Sequence, residues 1–209
     1  MPDLKKLLSD LHRLYPEAKY ELEFHSPFQL LIATVLAAQC TDERVNRVTA
    51  TLFQRYPDPA AFVAADPEAL EAALKPTGFF RQKTRTVQAI CRALIERFGG
   101  EVPARMEDLV TLPGVARKTA NVVLTTAFGI ASGIVVDTHV SRVSRRMGLV
   151  DCGEGASAEK IEEELMRKVP KAKWCFFGPA LVLHGRYTCT ARKPDCAGCA
   201  LRDGCEQKL

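Results

Sequence analysis

Four cysteines fall within the last 21 residues, Cys189, Cys196, Cys199 and Cys205, in the pattern C-x6-C-x2-C-x5-C. Thiolates this close, in a reducing compartment, hold a metal centre far more often than they stand idle. Structural zinc sites usually show two C-x2-C pairs. Here there is one, so the spacing leans away from zinc while leaving zinc and iron–sulfur both open. Arg186, Arg192, Lys193, Arg202 and Lys208 surround the cysteines. They could screen an anionic centre or lie against a phosphate backbone. A second constellation is Leu112-Pro113-Gly114-Val115-Ala116-Arg117-Lys118-Thr119-Ala120-Asn121. A proline-glycine turn followed by a helix start presents unpaired N–H groups and a positive dipole end, the chemistry that takes a phosphate. Gly114 has no Cβ to hold such a group away. Arg117 and Lys118 put two cations where a purely structural helix prefers Asp or Glu. The plain alternative is a helix–turn–helix corner with two solvated basic residues.

Helical periodicity supplies the frame. Asp3 can cap a helix with Leu4, Leu7, Leu8 and Leu11 on one face, and Ser26-Pro27 opens an apolar helix from Phe28 to about Ala38. Thr41-Asp42 starts another, interrupted by Pro57 and Pro59, and Asp66-Pro67-Glu68 opens a short segment closed by Pro76 and Gly78. Phe80 to Phe98 reads as a long helix ended by Gly99-Gly100. Met106, Leu109 and Val110 mark the segment entering the proline-glycine turn, and Gly129 closes the run that leaves it. Asp137 reads as the cap of a helix bearing Val140, Val143 and Met147, with further helices over about Ser157–Val169 and Lys173–His184. Ile134-Val135-Val136 is too short to be read as a strand, so the expectation is an all-α chain. Arg81, Lys83 and Arg85 read as a solvated helix face, and His25 and His139 as structural.

The totals are those of a globular protein: 209 residues, 47% hydrophobic and 26% charged, with a net charge of +4 that permits an anionic partner without demanding one. No basic-then-apolar leader is read at the start, and the longest uncharged stretch, Thr119 to Val136, is too polar for a membrane span. Eight cysteines without a leader point to a reducing compartment.

These stretches together resemble the endonuclease III family of DNA glycosylases, in the helix-hairpin-helix superfamily. The resemblance rests on Leu30-Leu31-Ile32 running to Ala38-Gln39-Cys40-Thr41-Asp42, on Leu112 to Asn121, and on Val136-Asp137-Thr138-His139-Val140. It also rests on Leu183-His184-Gly185-Arg186-Tyr187-Thr188-Cys189 with the three later cysteines. It implies a two-lobed all-α fold. One lobe is a six-helix barrel over residues 21–131 carrying the helix-hairpin-helix. Residues 1–20 and 132–209 make a cluster lobe, with the active site expected in the cleft between the lobes. It further implies that the four cysteines hold a [4Fe-4S] cluster, and that the partner is double-stranded DNA with damaged pyrimidines or abasic sites.

Residue roles follow from the same resemblance. Lys118 matches the lysine nucleophile of the bifunctional branch and Asp137 the carboxylate shared across the superfamily. Gln39 matches the residue that fills the gap left by an extruded base. Phe79 stands where the family usually has an aliphatic wedge. Gly114, Ala116 and Arg117 fall in the phosphate-binding hairpin, and Ala116 replaces the second glycine of the family's Gly-Val-Gly. His139, two residues after Asp137, is a candidate for orienting the DNA backbone. The implied function is a bifunctional N-glycosylase and abasic-site lyase for oxidised pyrimidines, monomeric and cytoplasmic, at the nucleoid when on DNA. Two alternatives are a monofunctional adenine-removing glycosylase and a non-catalytic DNA-binding redox sensor. The first usually lacks lysine at this position and carries a further C-terminal domain, which is not expected here.

Overall fold

Side-chain caps set most helix starts in the computed structural model, which describes residues 3–153 and 155–207. Asp3 accepts the N–H groups of Lys5 and Lys6 at 3.0 and 3.3 Å and starts α1, Leu4–Leu14. Ser26 caps α2, Pro27–Leu36, and Thr41 caps α3, Asp42–Arg55. Asp58 and Asp66 cap α4, Pro59–Ala64, and α5, Pro67–Leu74, each with proline in the first turn. The long α6, Phe80–Phe98, ends at Gly99 with φ 63. A single turn, α7 at Met106–Leu109, leads through the Pro113-Gly114 corner into α8, Arg117–Ala127. Asp137 caps α9, Thr138–Arg146, Ser157 caps α10, Ala158–Lys168, and α11 spans Trp174–Tyr187.

Among the described residues there is no strand, so the all-α expectation holds. Ile134, Val135 and Val136 run without regular structure, buried, toward Asp137. Two expectations shift. The second helix stops at Leu36, two residues early, because Ala37 to Cys40 turn the chain through a left-handed Gln39. Pro59 starts α4 as well as ending what precedes it; six residues are too few for a periodic signal.

The chain divides into two compact units, Glu21–Gly129 and Met1–Tyr20 with Ile130–Leu209. In the first, α4 and α5 pack on α6, and α2 packs on α8 and α6. Its core holds Leu31, Ile32, Leu36, Phe62, Leu74, Ile90, Leu94 and Val123, all essentially without solvent contact. Gln88 on α6 ties down the end of α4, donating to the Phe62 and Ala65 carbonyls at 3.2 and 3.1 Å. In the second, α1 and α9 pack on α11 around Leu7, Leu11, Ile134, Val140, Val143, Leu165, Phe177 and Leu181. Most apolar faces read from the sequence are buried here; Val110, read with Met106 and Leu109, is instead 42% exposed.

Candidate functional site

The hairpin is anchored by its apolar residues and offers its polar ones. Leu112 and Val115 are buried, while Pro113, Gly114, Ala116, Arg117 and Lys118 are exposed. The Val115 N–H donates to the Leu112 carbonyl at 3.1 Å, closing a turn with proline second and glycine third. Gly114 has the φ of 72 that this turn needs, and a Cβ there would lie 2.7 Å from the Thr86 methyl carbon of α6. Ala116 is the N-cap of α8 and offers no side-chain acceptor to the first-turn amides. A helix start without a side-chain cap, with an exposed arginine and an exposed lysine in its first turn, has the electrostatics that attract an anion. Ala116 adopts ordinary extended angles, φ −80 and ψ 165, so its methyl leaves the hairpin intact.

Gln39 and Phe79 share an uncommon backbone state. Both are exposed, with φ 54 and φ 48, and apart from Gln207 they are the non-glycine residues with positive φ among those described. Left-handed backbone costs an ordinary residue about 1–2 kcal/mol, most notably a bulky one. Phe79 presents 65% of its surface to solvent, next to Gly78 at φ 71. Two such side chains on tight loops of one unit are unusual for a fold that only needs to be stable.

In the other unit Asp137 is half-buried, and its Oδ1 accepts the Val140 N–H at 2.8 Å. Burial, and then the Asp137 carboxylate beside it, pushes the Tyr20 phenol far above its ordinary value, so it stays neutral. Gly178 on α11 lets Tyr20 and the Val135 backbone close in, since a Cβ there would lie 3.2 Å from the Tyr20 hydroxyl and 3.5 Å from the Val135 carbonyl. His139 is held by its own helix: Arg142 Nη2 lies 3.2 Å from His139 Nδ1 and donates to the Gly185 and Cys189 carbonyls at 2.7 and 3.1 Å.

Cys189, Cys196, Cys199 and Cys205 line one small pocket with Met147, His184 and Leu201. The loop around it is knitted by backbone bonds: Cys189 N–H to the His184 carbonyl at 2.7 Å, Asp195 N–H to Thr188 at 3.0 Å and Arg202 N–H to Cys199 at 3.1 Å. Donors point at the sulfurs. Arg146 Nη1 lies 3.5 Å from Cys189 Sγ, and the Gln207 N–H lies 3.4 Å from Cys205 Sγ. His184 Nε2 is 3.7 Å from Cys199 Sγ, with Tyr15 Oη 3.1 Å from its Nδ1. Burial pulls His184 down to about 4, leaving a neutral ring at pH 7. Burial also raises the Cys199 and Cys205 thiols, with the neighbouring cysteines adding to it. Among the described residues no three His, Cys, Asp or Glu side chains gather tightly enough for a single metal ion. Four thiols on one pocket, with N–H donors at Cys189 and Cys205, are a donor set that suits a thiolate-held metal centre.

The family model of the HhH-GPD superfamily of base excision DNA repair proteins matches residues 32–171. Proteins named endonuclease III match almost the whole chain: that of Synechocystis sp. is 51% identical over 96% of this chain and 90% of its own length. That of Bacillus subtilis is 45% identical over 99% of this chain and 94% of its own. This chain belongs to the endonuclease III family. Among solved structures, a trapped endonuclease III–DNA covalent intermediate superposes with TM-score 0.91 at 42% identity, covering 98% of this chain and 94% of that one. A non-covalent endonuclease III–DNA complex does the same at 43% identity and TM-score 0.91. The all-α helix-hairpin-helix fold is therefore that of the endonuclease III family. Among the described residues no helix is long and apolar enough to cross a membrane.

Several side chains around these sites were not legible from residue type alone. Lys83 corrects the solvated-face expectation, for it is 5% exposed. The signal was its register, since Lys83, Val87, Ile90 and Leu94 share one stripe of α6. Arg81 and Arg85 are exposed, as expected. Arg142, Arg146, His184, Tyr15 and Tyr20 depend on contacts between distant segments and leave no local signature.

Proposed function

We propose that this endonuclease III family member is a bifunctional base excision repair enzyme. It removes oxidised pyrimidines from duplex DNA and cleaves the resulting abasic strand through a Schiff base on Lys118. The observation that carries this reading is an exposed lysine in the first turn of α8, directly behind a turn with the donors for a phosphate.

Breaking the N-glycosidic bond develops positive charge on the sugar, and the Asp137 carboxylate stabilises it. The Lys118 amine, neutral when it attacks, forms a bond to C1′ as the base leaves with the bonding electron pair. Ring opening gives an iminium, which acidifies the C2′ proton. Its loss expels the 3′ phosphate, and water then releases Lys118. Gly114, Ala116 and Arg117 hold the backbone phosphate beside the lesion, which fixes the sugar against the amine. His139, whose ring is braced by Arg142, is the residue that orients the DNA backbone in this reading. Gln39 enters the space left by the extruded nucleotide and Phe79 wedges beside it, offsetting an unstacking cost of a few kcal/mol.

Cys189, Cys196, Cys199 and Cys205 hold a [4Fe-4S] cluster. When bound, it adds iron–thiolate coordination that ties the whole C-terminal loop together. Arg146 and the Gln207 amide offset its negative charge. The enzyme works as a monomer in the cytoplasm, at the nucleoid when bound. The test is a panel of duplexes, each with one altered base. Oxidised pyrimidines should yield a broken strand ending in an unsaturated aldehyde. Release of adenine from mispairs without strand breakage would favour a monofunctional enzyme.

A further inference from the structure

Lys83 is a buried lysine that no step above uses. Its ammonium has two carbonyl partners from different parts of the chain: Leu36 O at 2.8 Å and Thr77 O at 2.7 Å. Leu36 is the last residue of α2, three before Gln39, and Thr77 lies two before Phe79. The same residue holds the second loop through its backbone as well, its N–H donating to the Phe79 carbonyl at 3.0 Å. Thr77 is itself fixed, buried with its hydroxyl donating to the Leu74 carbonyl at 2.8 Å.

The ammonium sits at the carbonyl end of α2, where the helix dipole favours a cation and the last carbonyls lack intrahelical donors. Position 83 falls on the core stripe of α6, where an apolar side chain would pack without desolvating a charge. What an apolar residue could not do is bond both loops at once. The residues those loops display are Gln39 and Phe79, the two non-glycine residues held in left-handed backbone within this unit.

We propose that Lys83 is a positioning residue for nucleotide extrusion: by bridging the Leu36 and Thr77 carbonyls it sets the spacing of the Gln39 and Phe79 loops, so that both side chains enter the duplex together. This rests on the reading of Gln39 and Phe79 as the inserting residues. Lys83 touches no DNA and acts through the loops it joins. Its loss therefore impairs steps that need extrusion and spares those that do not.

The test compares Lys83→Met with the parent enzyme on two substrates. One is a duplex with a single oxidised pyrimidine, read by single-turnover excision. The other is a single-stranded abasic oligonucleotide, read by borohydride trapping, which has no partner base to displace. The duplex-to-single-strand rate ratio should fall at least tenfold, and 2-aminopurine opposite the lesion should show a smaller fluorescence rise on binding. Lys83→Arg, which keeps a donor, should recover part of the ratio, and it carries the test alone if Lys83→Met does not fold. In a Phe79→Ala background, Lys83→Met should add little, because the two act through one loop. An unchanged ratio, or effects that add in full, would overturn the proposal. A parent enzyme inactive on both substrates would instead overturn the reading of the site on which it rests.

Discussion

Asp137 Oδ1 accepts the backbone N–H of Val140 at 2.8 Å, so the carboxylate assigned to catalysis is also the cap of α9. The two roles separate by substitution, because asparagine caps about as well as aspartate whereas alanine does not. Asp137→Asn should leave the melting temperature nearly unchanged and lower glycosylase turnover by about 10²-fold or more. Asp137→Ala should show the same kinetic loss with about 1 kcal/mol of lost stability besides. Turnover at the parent level in Asp137→Asn would reduce this residue to a cap.

At the hairpin the cost of a methyl depends on where it is placed. At position 114 it meets φ 72 and the Thr86 side chain; at 116 the backbone is ordinary. Gly114→Ala should lower stability by about 1 kcal/mol or more and weaken binding to duplex DNA. Ala116→Gly should change both much less, because glycine's better capping is offset by the entropy it adds to the unfolded chain. Calorimetry and fluorescence anisotropy read the two quantities. Equal effects would mean that the turn is not what presents the phosphate donors.

Phosphate contacts also set the response to salt. Log affinity should fall with log salt by about 0.9 for each phosphate neutralised, and Arg117→Gln should reduce that slope by about one. A slope unaffected by Arg117 would remove it from the DNA surface.

The cysteine loop makes a spectroscopic prediction. The purified protein should be brown, with four iron atoms per chain, and Cys205→Ser should lose iron and melt at lower temperature. Arg146→Met removes a cation 3.5 Å from Cys189 Sγ. The cluster's reduction potential should then become more negative, since the cation favours the reduced, more anionic form. A colourless zinc protein would refute the cofactor assignment.

The helix starts were legible because their causes are local: Asp3, Ser26, Thr41, Asp137 and Ser157 each bond an amide two or three residues on. The proline-glycine corner and the cysteine spacing were legible for the same reason. Lys83 was not, because lysine in a helix is solvated by default and only the burial of its stripe reverses that. The Tyr20 phenol near Asp137 and the Tyr15–His184 contact join residues more than a hundred positions apart, and no periodicity links them. α4 escaped notice through brevity: two prolines, two and four residues past the end of α3, read as punctuation, while Asp58 turns the second of them into a start.

Covalent capture tests the nucleophile most directly. With borohydride and a duplex containing one abasic site, the parent enzyme should form a stable one-to-one protein–DNA adduct, and peptide mapping should locate the reduced bond at Lys118. Lys118→Gln should form none while still binding the same duplex. An adduct of parental yield in Lys118→Gln, or one mapped to another residue, would contradict the account.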